Sequence, residues 1–274
     1  MANDREMLRG VWEGKLPVCF QLFEAEINGV QAPEPFYLMV PRLSYFPLVT
    51  DKASSCNLIS NPFQKVLSYE ICCSAAKGIT SRSQSKDLNA TNANYVRKHF
   101  VKYIDPDKQE LELWLEFNSV PLKWHYPIGA LFDMFSADIS LPWVITARFD
   151  KFPENEIFHC PCREAVESHF MSSIKEADAL KHRGQVISVM QKKDHNQLWL
   201  GLQNDKFDQF WAINKKLMEI TTGESEFKHI PVKFYRGDSK FIQKLVRPLN
   251  EDGKRKTLQT VIEEIFPTEP NDCK

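Results

Sequence analysis

A primary amine is a chemical handle only where it meets solvent, and the spacing around Lys175 meets that condition. Val166, Phe170, Ile174 and Ala177 recur at three- and four-residue steps, which on a helix makes an apolar stripe that must pack against something. Lys175 lies nine residues after Val166, and at about 100° per residue that places it roughly 180° away. Its amine is expected to point outward, flanked by Glu176 and Asp178. Lys181 falls nearer the stripe and is expected to run its aliphatic stem along apolar surface. An outward amine on a stiff helix can attack an activated acyl group and form an amide. In an arbitrary protein such a residue is far more often an ordinary solvated lysine, and geometry alone only permits the functional reading.

Other chemistry-bearing residues read less sharply. Cys160-Pro-Cys162 lies near His159 and His169, but a structural zinc site wants four ligands, commonly in two closely spaced pairs, and no second pair is visible. No metal or cofactor is expected. A cysteine hydrolase using Cys160 with His169 or His125 is the enzymatic alternative, although no nucleophile motif or orienting group accompanies them. Lys192, Lys193 and His195 form a small basic cluster that could touch anionic lipid or simply be a solvated helix face. Asn89-Ala-Thr91 matches a glycosylation acceptor, which carries no meaning in a cytosolic chain.

The chain has 274 residues, 43% of them hydrophobic, enough for a substantial core and for two or three domains. With 35 basic against 36 acidic side chains, no bulk charge favours nucleic acid, and none is expected as a partner. The first ten residues lack the pattern of a secretion signal, and no apolar run approaches the roughly 20 residues that span a bilayer. A soluble, cytoplasmic protein is expected. Seven cysteines without regular spacing then suggest reduced thiols rather than a disulfide framework.

These side chains need elements to carry them. A short helix is expected over 4–9, then strands over 18–23 and 35–40 joined by a polar Asn-Gly link, which suggests a hairpin. Helical character begins over 43–52 and resumes over 95–101. A strand over 111–117, a turn-rich stretch over 121–127, a helix over 128–135 and a strand over 143–149 complete the order of a ubiquitin-like β-grasp. From 153 the period becomes helical, with helices over 163–182 and 185–191 and a long or broken third over 194–218. Trp199, Leu202, Phe207, Phe210, Trp211 and Leu217 are read as its core face. Period two returns in strands over 230–235 and 241–246, followed by a helix over 258–265. Strand, turn, strand, helix thus occurs twice, and the second unit lacks further strands, leaving its apolar faces incompletely covered.

Several runs carry a family resemblance: Leu122-Lys-Trp-His-Tyr-Pro-Ile-Gly129, His169-Phe-Met, Lys175-Glu-Ala-Asp-Ala-Leu-Lys-His182, Gln191-Lys-Lys-Asp-His195, Gly201-Leu-Gln-Asn-Asp205 and Phe207-Asp-Gln-Phe-Trp-Ala-Ile-Asn214. Together with Leu8-Arg9, Val11-Trp12 and Pro41-Arg-Leu-Ser-Tyr45, they resemble the autophagy protein 5 family in its animal form, over about four-fifths of the chain. The resemblance implies an α+β fold in which two ubiquitin-like β-grasp domains, the second incomplete, flank a helix-rich domain. Boundaries are expected as an N-terminal helix over 1–10, a first ubiquitin-like domain over 11–152, a helix-rich domain over 153–225 and a truncated second ubiquitin-like domain over 226–274.

The resemblance also implies a role for Lys175. In the family, the lysine of this motif accepts the C-terminal glycine of the ubiquitin-like autophagy protein 12 through an isopeptide bond. The nucleophile in such thioester aminolysis is the neutral amine, a small minority of any ordinary lysine at neutral pH, so the conjugating enzyme must supply deprotonation. The implied partners are autophagy protein 12, autophagy protein 16 presenting an amphipathic helix to a groove, and the conjugating enzymes of the autophagy protein 12 and 8 systems. The resulting scaffold is non-catalytic and ligase-like, and it promotes transfer of autophagy protein 8 family members to phosphatidylethanolamine. Its place is the cytoplasm and, peripherally, the preautophagosomal (phagophore) membrane during autophagosome assembly. Two departures from the family pattern stand out. An insert over about 53–96, rich in Ser, Asn, Ala and Lys and holding Cys56, Cys72 and Cys73, reads as a flexible loop or as untranslated sequence in a gene model. The C-terminus is short, ending at Lys274. A non-covalent adaptor and a non-functional splice or gene-model variant are therefore the other readings.

Overall fold

The computed structural model describes residues 4–29, 31–50, 95–135, 140–160, 162–220, 223, 225–235 and 241–267. Helix α1 (Arg5–Trp12) starts where the Asp4 carboxylate accepts the Met7 backbone N–H at 3.0 Å, satisfying a donor that a helix leaves free at its start. It runs past the expected end at 9 because Trp12, on its last turn, is buried. In strand β1 (Lys15–Leu22), Leu16, Val18, Phe20 and Leu22 all enter one core, the period-two pattern of a strand with a buried face. Strand β2 (Phe36–Pro41) pairs with it antiparallel, Phe36 opposite Phe20 and Val40 opposite Leu16, as the expected hairpin.

Helices α2 (Phe46–Thr50) and α3 (Tyr95–Phe100) bracket residues 51–94. The expected insert over 53–96, with Cys56, Cys72 and Cys73, therefore lies outside the described residues except at its end. There the structure corrects it: Val96 is fully buried in the core and belongs to α3. Strands β3 (Trp114–Phe117), β4 (Val120–Pro121) and β5 (Trp143–Arg148), with helix α4 (Ile128–Met134) between β4 and β5, complete the unit. The sheet order is β2-β1-β5-β3-β4, with β1 and β5 parallel and β3 antiparallel to β5. That parallel central pair, Phe20 opposite Ile145, brings first and last strands side by side in a β-grasp. Trp143, Ile145 and Ala147 of β5, Ile128 and Leu131 of α4, and Val96 and Phe100 of α3 close one core between sheet and helices.

A further boundary and one added strand differ from expectation for traceable reasons. The strand expected over 111–117 begins only at Trp114, because Arg97 holds the preceding loop by donating to the carbonyls of Leu111, at 2.6 Å, and Gln109. Strand β4 was not expected, since it follows a two-residue turn made by Asn118 and Ser119, both at positive φ (49° and 62°). Such a hairpin turn is usually announced by Asn-Gly rather than Asn-Ser.

The middle of the chain is helical. Helix α5 (Arg163–His182) has the expected bounds and ends with Arg183 at φ 57° and Gly184 at φ 78°, the left-handed stop of many helices. Helices α6 (Gln185–Val189), α7 (Lys192–Gln203) and α8 (Phe207–Met218) follow. The third helix, expected as long or broken over 194–218, is broken into two where Asp205 takes φ 52°, a conformation Asp tolerates. The break lets α7 and α8 fold back on each other at Gly201, where an added Cβ would lie 2.6 Å from the Phe210 backbone nitrogen. Trp199, Leu202, Phe207 and Leu217 share a core with Val166, Phe170, Tyr45, Leu48 and Trp12. Phe210 and Trp211 are only half-buried, Trp211 lying parallel to Phe207 at 6.0 Å on the outer side of that core.

The C-terminal part is a hairpin and a helix. Strands β6 (Ile230–Tyr235) and β7 (Phe241–Val246) pair antiparallel with Tyr235 opposite Phe241, and helix α9 (Leu258–Ile265) begins where Thr257 Oγ1 accepts the Thr260 N–H at 3.2 Å. Leu245 stays 50% exposed and Leu258 66%, so among the described residues these apolar faces are incompletely covered, as the sequence led one to expect.

Candidate functional site

Lys175 sits near the middle of α5 and is exposed, on the side away from Val166 and Phe170. Its platform is anchored by that buried face, where Phe170 packs against Trp199 at 5.9 Å and Phe210 at 6.4 Å. Nearer the N-terminus of α5, His169 Nε2 donates to the His125 carbonyl at 3.2 Å, tying the helix to the loop before α4. One residue after Lys175, Glu176 Oε1 accepts a hydrogen bond from Gln243 of β7 at 2.9 Å. The helix that carries the amine is therefore held by the first domain, the bundle and the C-terminal hairpin.

One expectation fails beside it. Asp178 does not flank the amine in solvent; it is 1% exposed, with Oδ1 against His182 Nδ1 at 3.0 Å and Oδ2 accepting the Ile187 N–H at 2.9 Å. His182 Nε2 in turn donates to the Glu219 carbonyl at 3.0 Å. The apolar stripe thus ends in a buried polar network in which each partner answers another, and it clamps the end of α5 to α6 and to the residue after α8. The i, i+4 spacing of Asp178 and His182 on the stripe side was the available signal. Asp178 is also the only carboxylate three or four positions from Lys175 on the helix, and it is taken. Among the described residues Lys175 has no hydrogen bond or ion pair.

Lys181 follows the expectation of a buried stem. It donates to the Leu217 carbonyl, lies over the Phe227 ring at 4.6 Å, and burial pushes its pKa below the ordinary lysine value. The two lysines divide the properties an acceptor could have: Lys181 is tuned but held, whereas Lys175 is open to approach.

The residues considered for metal or hydrolytic chemistry are held in other contacts. His159 bridges Glu112 at 2.8 Å and Glu154 at 2.9 Å and stacks on Phe152; the two carboxylates raise its pKa. Cys160 gives its N–H to Glu112 at 2.6 Å and its Sγ faces the Cys162 carbonyl at 3.7 Å. His169 directs Nε2 to a carbonyl and packs among rings. Lys192 and Lys193 are exposed at the start of α7, and His195 is half-buried. A cavity of about 450 Å³ lies between α2 and β3, lined by Phe46, Pro47, Leu113, Trp114, Ile157 and Cys160 among others. Several of its polar groups are bonded internally: Trp114 Nε1 donates to Asp150 O at 3.0 Å, Trp124 Nε1 to Phe158 O at 2.7 Å, and Arg97 to two carbonyls. Among the described residues no helix is long and apolar enough to cross a membrane.

Comparison with known proteins gives a consistent picture. Three family models match: the UblA domain of autophagy protein ATG5 over residues 11–70 and 89–149, its alpha-helical bundle region over 163–220, and its UblB domain over 229–272. The UblA match leaves 71–88 unmatched. Autophagy protein 5 of Drosophila melanogaster is 44% identical over 97% of this chain and 83% of its own length. Autophagy-related protein 5 of Caenorhabditis elegans is 32% identical over 96% and 80%. The crystal structure of Kluyveromyces marxianus Atg5 superposes with a TM-score of 0.63 at 15% identity, covering 97% of this chain and 85% of that one. The last is a likeness of fold: ubiquitin-like domains on either side of a helical region.

Proposed function

Because the chain belongs to the autophagy protein 5 family, we propose that it acts in autophagy as a non-catalytic scaffold whose Lys175 is joined by an isopeptide bond to the ubiquitin-like autophagy protein 12. Family membership supports the role in autophagy. The observation that carries the site is the exposed, unpaired amine on a helix anchored from three sides. In the reaction, Lys175 Nζ attacks the carbonyl carbon of the tag's C-terminal glycine thioester. The new C–N bond forms as the C–S bond breaks, the enzyme's cysteine leaves as thiolate, and the amine's proton passes to a base of the conjugating enzyme. What this chain contributes is access and rigidity, which keep the nucleophile presented without ordering a loop at each encounter.

In the same reading, the conjugate binds the amphipathic helix of autophagy protein 16 and promotes lipidation of autophagy protein 8 family members at the phagophore membrane, working from the cytoplasm. Reconstitution with autophagy protein 12 and its activating and conjugating enzymes tests the acceptor. Lys175→Arg should abolish the covalent product while leaving the melting temperature unchanged, since an exposed residue is replaced by one of like charge. A product that persists in Lys175→Arg would refute the assignment. Absence of product with the unmutated chain would favour a non-covalent adaptor, and hydrolase activity lost in Cys160→Ser would favour the enzymatic alternative.

A further inference from the structure

Where the first domain, α5 and the C-terminal hairpin meet, two histidines lie together. The His125 and His169 ring centroids are 5.6 Å apart at an interplanar angle of 69°. The hydrogen bond from His169 Nε2 to the His125 carbonyl fixes the proton of that ring on Nε2. Trp124 lies 5.7 Å from His169 and 5.8 Å from His125, Phe158 lies 5.2 Å from His125, and Tyr45 lies 6.1 Å from His169. His125 Nδ1 is buried without a hydrogen-bond partner among the described residues. A buried lone pair costs less than a buried N–H on a cationic ring, so this nitrogen favours the neutral form.

The charges facing the pair oppose protonation. Lys123, from the loop that carries His125, lies over the Tyr126 ring at 5.7 Å, and Lys233 of β6 lies over Phe241 at 5.3 Å. Both act on His125, and Lys233 also acts on His169. The phenols of Tyr45, Tyr126 and Tyr235 are pushed up by burial and stay neutral through the acid range. On the 153–160 side the carboxylates of Glu112 and Glu154 are engaged by His159. The same loop holds the hairpin, through Tyr126 against Tyr235 at 4.9 Å and Phe241 at 6.0 Å.

We propose that His125 and His169 form a proton-operated latch between the first domain, α5 and the C-terminal hairpin, closed while both rings are neutral and released when His125 takes up a proton. Burial first, then His169 and the two lysines, hold His125 down to about 4 from its ordinary 6.5; burial also lowers His169, against the opposing pull of its hydrogen bond to the His125 carbonyl. In the released state both rings titrate as ordinary histidines. A base depressed in the closed state makes that state lose stability as pH falls from 6.5 towards 4, with no loss above. For a partly exposed group with that depression, opening should rise on the order of tenfold between pH 7 and pH 5.

Hydrogen exchange of the whole chain at the two pH values, corrected for the chemical exchange rate, tests this. The amides of β6 and β7 should open on the order of tenfold more at pH 5, and His125→Phe with His169→Gln should remove that difference. A pH dependence unchanged in the double variant overturns the latch. Where that variant does not fold, an NMR titration of the ring carbons in the unmutated chain decides. A His125 midpoint below about 5 sustains the latch, and one near the ordinary value for histidine overturns it.

Discussion

The two β-grasp units open with the same local grammar of strand, turn, strand and helix, yet they bury themselves very differently. In the first, β1 has a strand on each edge, and helices α2, α3 and α4 share the core on one face, so that Phe20, Trp143 and Ile145 are sealed. In the second, β6 and β7 have only each other among the described residues, and Val246 and Val261 are its buried apolar side chains. It holds its place through neighbours instead: Tyr235 on Tyr126, Gln243 on Glu176, and the Lys228 N–H on the Lys181 carbonyl at 3.1 Å. The difference teaches that a hairpin and a helix are a fragment of a core. Closure comes from the strands that fill the remaining edges.

Three substitutions would break or sharpen that contrast. Trp143→Ala, in the sealed core, should cost about 3 to 5 kcal/mol in denaturant unfolding; a loss under about 1 kcal/mol would mean the first unit is no better closed than the second. Asp178→Ala, in the network between α5 and its neighbours, should cost about 3 kcal/mol by leaving His182 and the Ile187 N–H without their partner. Hydrogen exchange should then show the end of α5 loosened while the first sheet stays protected, and loss of protection in both would show that the two are one cooperative unit. Leu258→Ser, on the open face of α9, should change stability by less than about 0.5 kcal/mol. A larger cost would reveal that this face is covered in solution.

Much of this was legible in sequence, and the reason differs from place to place. The helix over 163–182 and the elements over 230–235, 241–246 and 258–265 coincide with α5, β6, β7 and α9, because each has a clean period bounded by Gly, Pro or a capping residue. The sequence left a break between α7 and α8 open but not its place, because Asn204 and Asp205 make the turn with neither Gly nor Pro in it. Trp211 read as core by spacing but lies at its margin, since period gives the face of a helix and not how deeply the partner covers it. Asp178 was read as solvent-facing because its burial is satisfied by His182 and Ile187, a bonding pattern that composition does not display.

What the sequence by itself determined is the direction of Lys175 and the existence of the elements around it, because helical angle and hydrophobic period are set by backbone geometry over a few residues. Only the tertiary structure decided the parallel pairing of β1 with β5, the contact of Glu176 with Gln243 across 67 positions and the meeting of His125 with His169 across 44. Those choices belong to closure and burial of the whole chain, in which many distant groups must fit at once, and no local window of sequence contains them.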